Sequence, residues 1–281
     1  MILLADSGST KCAWIFVRPA DDPISVRTKG INPYYQTTAE IENLITADLV
    51  NHIPVKEVKE IYFYGAGCHP ESKCAIVRAA LKSVFSSASH IEVESDLLAA
   101  ARALFGKKEG IACISGTGSN TGHYNGSVIT DNVRSLGLYM GDEGSGGHLG
   151  KLLMSEYMRD ALPEDLKSAI EAYTPDRIGE MMDKIYRQPF PNRYLASFAP
   201  LYSTHQQHPI IQKLAKESFT KLFDLYIIRY PQHRALPVSF IGSVALSLKE
   251  IIYSLAEERK ITIGHIERSP AEGLLNYHTK S

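Results

Sequence analysis

The stretch LLADSGSTKCAWIFV, residues 3–17, contains two apolar runs separated by a short polar turn. Each run is long enough for a β-strand, and a break of small, hydrogen-bonding residues between them is typical of a hairpin. The turn combines an acid, a glycine, a lysine and several hydroxyl groups. Glycine leaves backbone N–H groups uncovered, so the turn predicts a cradle for phosphate oxygens. A turn built for geometry alone is the alternative.

The same pattern recurs in GIACISGTGSNTGHYNGS, residues 110–127, where a small apolar strand again precedes a Gly/Ser/Thr turn. Helix-like and strand-like runs alternate up to residue 106, which predicts an α/β layer, and the second half is more helical. We therefore expect two related α/β lobes, residues 1–106 and 107–268, with a nucleotide cleft between them. Neither turn fits a Walker A loop, because GxxxxGK[ST] does not occur in the chain.

Composition excludes several classes of protein. The 281 residues carry a formal net charge of −1, which provides no overall field to recruit nucleic acid or an anionic membrane. Apolar runs are too short to span a bilayer, and the start MILLAD lacks the basic region of a signal peptide. The four cysteines contain no Cys-x-x-Cys pair, so buried free thiols are expected. These features predict a cytoplasmic protein.

Two acidic segments are candidates for chemistry. Asp96 follows the strand-like IEVES and precedes the helix-like DLLAAARAL, so Ser95 or Asp96 is a natural helix cap. The end of that strand should also face the cleft, which favours Asp96 as a general base. Asp142 and Glu143 are adjacent within GDEGSGG, so they are not an obvious acid/base pair and fit solvated charges at a helix start equally well.

Four motifs together resemble the N-acetylglucosamine kinase family. They are DSGSTK (6–11), SGTGSN (115–120), GDEGSGG (141–147) and GSVA (242–245), and SPAEGLLNY (269–277) matches the closing helix. The resemblance implies two ribonuclease H-like lobes of the sugar kinase, Hsp70 and actin type, with residues 269–281 packing back on the first lobe. It also implies ATP-dependent phosphorylation of N-acetylglucosamine to its 6-phosphate, with Mg²⁺ as a cofactor. A homodimer is common among members of this family.

The resemblance carries roles over to individual positions. It makes Asp96 the catalytic base, which also contacts the sugar, and Asp6 the residue that holds Mg²⁺ through water. The positions implied to bind ATP and its phosphates are Asp6, Gly8, Ser9, Thr10, Lys11, Gly116, Thr117, Gly118, Gly242 and Ser243. The further positions implied to contact the sugar are Asn32, Gly65, Gly67, Thr117, Gly137 and Asp142. Asn32 precedes a proline, so a plain turn is equally consistent with its sequence.

One departure from the family concerns the sugar. Members commonly carry Gly-Trp-Gly shortly before GDEGS, whereas this chain has Ser135, Leu136 and Gly137, and its single tryptophan, Trp14, is expected in the core. Kinases for N-acetylmuramic acid or glucosamine are therefore alternatives. An ATPase activator of 2-hydroxyacyl-CoA dehydratases, with an iron–sulfur cluster on cysteines, and a non-catalytic ATP-binding regulator are alternatives from other classes.

Overall fold

The computed structural model describes residues 1–8, 10–19 and 21–280. Contacts divide the chain into two units: unit 1 comprises Met1–Gly106 and Pro270–Ser281, and unit 2 comprises Lys107–Ser269. Each unit is built on a five-stranded mixed sheet with helices packed against it, which confirms the predicted α/β class.

The strands and helices have the following bounds. The strands within the described residues are β1 (Ile2–Ser7), β2 (Lys11–Val17), β3 (Ile24–Lys29), β4 (Glu60–Gly65), β5 (His90–Ser95), β6 (Gly110–Ser115), β7 (Ser119–Tyr124), β8 (Ile129–Asp131), β9 (Val238–Ile241) and β10 (Ile263–Glu267). The α-helices are α1 (Thr38–Asp48), α2 (Glu71–Val84), α3 (Asp96–Phe105), α4 (Gly137–Met140), α5 (Gly146–Met158), α6 (Glu164–Tyr173), α7 (Ile178–Tyr186), α8 (Pro191–Ala196), α9 (Pro200–Thr204), α10 (Pro209–Leu225), α11 (Ser243–Ser247), α12 (Lys249–Arg259) and α13 (Ala271–Thr279).

The sheet of unit 1 has the order β3-β2-β1-β4-β5. The first three strands are antiparallel neighbours, and β4 and β5 run parallel to β1. In register, Ser7 lies beside Gly65 of β4, and Gly65 lies beside Ser95 of β5. The carboxyl ends of three parallel strands therefore meet at one edge, where ligands of such sheets bind.

Large apolar side chains fill the core of unit 1. Trp14, Phe16, Phe63 and Phe85 are at most 1% exposed, and burial of one such side chain contributes about 1.5–3 kcal/mol. The Trp14 indole Nε1 donates a 3.0 Å hydrogen bond to Thr28 Oγ1, so its polar atom is satisfied within the core. The expectation that Trp14 lies in the core is confirmed.

The sheet of unit 2 has the order β10-β9-β6-β7-β8. The antiparallel β6–β7 hairpin repeats the arrangement of β1 and β2, and β9 lies parallel to β6 on its other side. Apolar residues of α5, α10 and α12 form a separate core with Phe240 of β9. The edge of unit 2 where β6 and β9 end again carries the glycine-rich turns of the sequence.

The alternation of helices and strands that the sequence predicts up to residue 106 is confirmed. Helix α1 ends at Asp48 and is followed by a 3-10 turn. The edge strands β3, β8 and β10 were not predicted, because they lack a continuous apolar run and Thr28 alone among their residues is buried. All four cysteines are buried and free, as expected. Among the described residues, no helix has the length and apolar character needed to cross a membrane.

Candidate active site

Ser7 anchors the first glycine turn, which joins β1 to β2. Its Oγ accepts a 2.8 Å hydrogen bond from Ile31 N, so the end of β1 is fixed to the segment that leads into Asn32. Gly8 N donates to Lys11 O at 3.0 Å, which closes the turn. Gly8, Thr10 and Lys11 are exposed, so their polar groups are open to a ligand. Ser9 lies outside the described residues.

Asp6 and Asp96 form an electrostatically coupled pair at the strand ends of unit 1. Each keeps part of its surface accessible while most of its surroundings are protein atoms. Desolvation and, as the smaller cause, the nearby charge of Asp96 together raise the pKa of Asp6 to about 7. Desolvation also raises the pKa of Asp96 to about 6, although backbone N–H groups at the helix start oppose the shift. Both carboxyl groups therefore titrate near neutral pH.

The structure shows which residue caps helix α3. Ser95 is the N-cap, because its Oγ accepts a 3.3 Å hydrogen bond from Leu98 N. Asp96 is the first residue of the helix itself. Ser95 is therefore the N-cap, and the Asp96 carboxylate, which also meets the backbone N–H groups of Leu97 and Asp96, keeps part of its surface accessible.

Asn32 lies directly against the glycine turn that follows β4. Its Oδ1 accepts a 3.0 Å hydrogen bond from Tyr34 N, and its carbonyl accepts one from Tyr35 N, so Asn32 does build a turn. A Cβ on Gly67 would stand 2.5 Å from Asn32 Oδ1, and the φ of Gly67 is +80°. Only glycine permits this approach. Gly65 is equally restricted, because its Cβ would stand 2.7 Å from the Phe63 ring.

The second glycine turn, in unit 2, is held by the start of α5. Gly116 N donates to Gly118 O at 3.0 Å. Gly146 N donates to Gly116 O at 2.8 Å, and Gly147 N donates to Thr117 O at 3.0 Å. These contacts fix the turn while a Cβ on Gly116 would meet no atom within 4 Å. The outer side of the turn is therefore open.

The segment GSVA lies against the end of β6. The φ of Gly242 is +136°, and its Cβ would stand 2.0 Å from Ser115 O, so a side chain cannot be accommodated there. Gly242 N donates to Glu267 O at 2.8 Å. Ser243 then begins α11. This close approach brings the start of α11 next to the second glycine turn.

A cavity of about 340 Å³ in unit 2 joins these two segments. Its lining includes Gly116 and Thr117 from the turn, together with Ser243, Val244 and Leu248. The uncovered backbone groups in this lining suit a phosphate, and its apolar side chains suit a planar base. Three positions that the sequence assigned to nucleotide binding are thus brought to one cavity.

The GDEGS loop presents a buried carboxylate above the second turn. Asp142 Oδ1 accepts long hydrogen bonds from Ser119 N (3.4 Å) and Ser135 Oγ (3.3 Å). A Cβ on Gly118 would stand 3.3 Å from both carboxylate oxygens. Burial raises the pKa of Asp142. Within the described ranges, Oδ2 accepts no hydrogen bond, so it can receive one from a substrate hydroxyl.

Glu143 has a different role from its neighbour. It is 8% exposed and Asp142 is 7% exposed, so the alternative that both are solvated charges is wrong. Glu143 Oε2 accepts a 2.8 Å hydrogen bond from the Tyr226 hydroxyl. Tyr226 lies 83 residues along the chain from Glu143. Ser218 of α10 likewise contacts Gly144, from which it is separated by 74 residues. No motif of the sequence indicates either contact. Gly137, with φ +72°, begins α4 directly after the half-exposed Leu136.

Asp6 fits the chemistry of a magnesium site. In the part of the chain that the structure describes, no group of three or more His, Cys, Asp or Glu residues could hold a metal ion directly. Asp6 supplies one hard carboxylate oxygen, and its raised pKa reports a carboxylate whose charge is uncompensated. A cation held here with several of its waters, as Mg²⁺ prefers, would offset the repulsion from Asp96.

Comparison with known proteins identifies relatives along the whole chain. A Porphyromonas gingivalis protein of known crystal structure, provisionally assigned as an N-acetylglucosamine kinase, is 39% identical, with 100% of this chain and 99% of that chain covered and a TM-score of 0.96. A Chromobacterium violaceum protein with the same provisional assignment is 16% identical over 98% of each chain, with a TM-score of 0.70. A ROK family glucokinase from Streptomyces griseus, solved with glucose and AMPPNP, is 15% identical over 98% of this chain and 97% of that chain, with a TM-score of 0.55.

The last two similarities concern the fold alone. The chain matches no family model and no curated protein. The full-length similarity at 39% identity, together with the four motifs and their placement, shows that the chain belongs to the N-acetylglucosamine kinase family, within the sugar kinase, Hsp70 and actin superfamily.

Proposed function

We propose that the protein is an ATP-dependent amino-sugar kinase that converts N-acetylglucosamine to N-acetylglucosamine 6-phosphate. The observation that carries this proposal is the pair of carboxylates at the strand ends of unit 1, where Asp96 has a pKa of about 6 beside Asp6. A base with a pKa just below neutral is ionised at pH 7 and still accepts a proton from a hydroxyl group effectively.

The nucleotide is held by glycine turns. Unit 1 contributes Gly8, Thr10 and Lys11, and the resemblance adds Ser9. Unit 2 contributes Gly116, Thr117 and Gly118 to the phosphates. The cavity of unit 2 supports this placement, because it runs from the second turn to Ser243, where the adenosine would lie along Gly242. The positive charge of Lys11 and the uncovered N–H groups complement the phosphate oxygens.

Phosphoryl transfer then needs a base, in-line placement and charge neutralisation. Asp96 accepts the proton of the sugar hydroxyl as its oxygen bonds to the γ-phosphorus, and the bond from that phosphorus to the bridging oxygen breaks to release ADP. Asp6 would hold Mg²⁺ through water, and this ion neutralises charge on the phosphates when bound.

The resemblance assigns sugar recognition to groups of each unit. Asn32 lies against Gly67, and in unit 2 Oδ2 of Asp142 is suited to accept a hydrogen bond from a sugar hydroxyl. Gly65 is a further position that the resemblance implies. Thr117 and Gly137 complete the contacts that the resemblance implies. Ser135 and Leu136 replace the usual Gly-Trp, so N-acetylmuramic acid and glucosamine remain the competing acceptors.

The test is ADP release, coupled to an optical readout, over a panel of N-acetylglucosamine, N-acetylmuramic acid, glucosamine and glucose. We expect the highest kcat/KM with N-acetylglucosamine, and the product should carry phosphate on O6 by NMR. A tenfold preference for another hexosamine would reassign the substrate and leave the kinase chemistry in place. ATP hydrolysis that no sugar stimulates would contradict kinase activity.

The iron content of the protein tests the alternative that it is an ATPase activator of 2-hydroxyacyl-CoA dehydratases. Such a protein needs cysteines at a surface shared by two copies, whereas Cys12, Cys68, Cys74 and Cys113 are all buried. We therefore expect purified protein, prepared without oxygen, to contain no stoichiometric iron. The four free thiols also fit a reducing compartment, which supports a cytoplasmic location.

A further inference from the structure

Helix α10 directs three residues at the GDEGS loop. Ser218, Leu222 and Tyr226 are spaced four residues apart, so they lie along one side of the helix and its C-cap. We call these three residues the α10 stripe. Each contacts the segment from Gly141 to Gly144, and none of them belongs to a motif of the sequence.

Ser218 holds the backbone of Gly144. Its Oγ, fully buried, accepts a 3.0 Å hydrogen bond from Gly144 N and lies 2.8 Å from His148 Nδ1. Either atom can be the donor in the contact between Ser218 Oγ and His148 Nδ1, and we assign the His148 ring as neutral. Burial lowers the pKa of His148 to about 4, which is consistent with this assignment.

Gly144 is fixed from the opposite side as well. Ser115 Oγ, at the end of β6, donates a 2.6 Å hydrogen bond to Gly144 O. The φ of Gly144 is +76°, and a Cβ there would stand 2.6 Å from Leu222 Cδ2. Both polar backbone groups of Gly144 are therefore satisfied by serines, and its α-carbon packs against the second member of the α10 stripe.

Tyr226 secures the other part of the loop. Its hydroxyl donates to Glu143 Oε2 at 2.8 Å, and a Cβ on Gly141 would stand 2.9 Å from the same hydroxyl oxygen. Asp142 thus has a restrained neighbour on each side. Its own φ is +57°, a left-handed conformation that aspartate adopts uncommonly and that the surrounding contacts must maintain.

We propose that the α10 stripe positions Asp142 for the acceptor sugar and that Ser218 is the principal positioning residue. The inference rests on the proposed function, in which Asp142 accepts a sugar hydroxyl. Ser218 does not touch the substrate. It acts by keeping Gly144 in place, so that Oδ2 of Asp142 is presented while Oδ1 is held by Ser119 and Ser135.

The principal experiment uses Ser218→Ala. This change leaves Gly144 N and His148 Nδ1 without their shared partner, and we expect amide hydrogen exchange in a peptide covering residues 141–145 to become about tenfold faster. The KM for the sugar should rise about tenfold, whereas the KM for ATP should stay within twofold. Ser218→Thr retains a hydroxyl group and should restore both values to within about threefold of the wild type.

Thr220→Ala is the matched control. It removes a hydroxyl from α10 two residues further on, about 200° around the helix, and should leave loop exchange and both KM values unchanged. Tyr226→Phe retains the ring and tests the stripe even if Ser218→Ala does not fold. It should raise the KM for the sugar severalfold and not that for ATP.

The outcomes separate the two proposals. Unchanged loop exchange in a folded Ser218→Ala protein, or an equal rise in both KM values, would overturn the positioning role. A wild-type KM for the sugar despite faster exchange in the loop would overturn it as well. A wild-type protein that turns over no sugar would overturn the proposed function itself, and the exchange measurement would still show whether Ser218 holds Gly144.

Discussion

Asp6 at the end of β1 and Asp96 at the start of α3 lie near enough for the charge of Asp96 to raise the pKa of Asp6. The two strands that lead to them flank β4, so the sheet itself brings the carboxyl groups to one edge. Desolvation adds to the effect at both residues. The pair therefore stores an unfavourable interaction that a cation or a proton relieves, and the first three predictions concern it.

Asp96→Asn should separate catalysis from folding. We expect kcat to fall by about 10²–10⁴-fold, because an amide cannot accept the hydroxyl proton, while ATP affinity is retained. Thermal stability at pH 8 should be unchanged or slightly higher, since a desolvated charge is removed. Ser95→Ala is the control: it should cost about 1 kcal/mol of stability through the lost cap and retain most of kcat. Near wild-type turnover by Asp96→Asn would refute the assignment.

The rate should depend on pH through Asp96. At saturating MgATP, kcat/KM for the sugar is expected to fall below a pH of about 6, where the base becomes protonated. Steady-state rates from pH 5 to 8 in buffers of constant ionic strength measure this limb. A profile that stays flat to pH 5 would show that the base has an ordinary carboxyl pKa or is another group.

Stability should decrease with rising pH in the absence of nucleotide. Because the pKa of Asp6 is raised to about 7, the folded state binds its proton more tightly than the unfolded state does. Stability from this group is therefore greatest at low pH and is lost as the pH passes through 7. Burial lowers the pKa values of His148 and His278 to about 4, so the stability that these two residues contribute rises with pH, mainly below pH 6.5.

The measurement that isolates Asp6 is the difference between wild type and Asp6→Asn in thermal midpoint from pH 6.5 to 8. We expect the thermal midpoint of Asp6→Asn to fall less with rising pH than that of the wild type. Equal slopes in the two proteins would mean that Asp6 is ionised at its ordinary pKa in the folded state.

Gly116→Val should strongly weaken nucleotide binding while the protein remains folded. A Cβ at this position meets no atom within 4 Å, but the side chain would enter the cavity that ends at Ser243. We expect the affinity for an ATP analogue, measured by calorimetry, to fall roughly 100-fold, or about 2.7 kcal/mol. Gly179→Val, at another open position in unit 2, is the matched control and should bind normally. Tight binding to Gly116→Val would place the phosphates elsewhere.

Local sequence patterns anticipate the site only in part. The apolar runs on both sides of residues 6–11 and before residues 115–120 predict β1, β2 and β6, whereas the buried strand β7 has the polar sequence SNTGHY and follows only from the repeat of the first hairpin. The edge strand β3, with three of its six residues exposed, gives no such pattern. The contact of Ser218 with Gly144 spans 74 residues and depends on how α10 packs on α5, which no local pattern encodes. Ser95 rather than Asp96 as the cap was likewise decided by side-chain geometry.

Helix α13 returns to unit 1 after the whole of unit 2 has been traversed. It packs closely on α3, where a Cβ on Gly273 would stand 2.4 Å from Ala103 O, and His278 lies 2.8 Å from the Tyr64 hydroxyl. On the ribosome, residues 107–269 are therefore complete while unit 1 still lacks the helix that packs on α3. Unit 2 is contiguous and can fold first, whereas unit 1, including the Asp6 and Asp96 pair, acquires its final packing only after residues 271–279 have been synthesised.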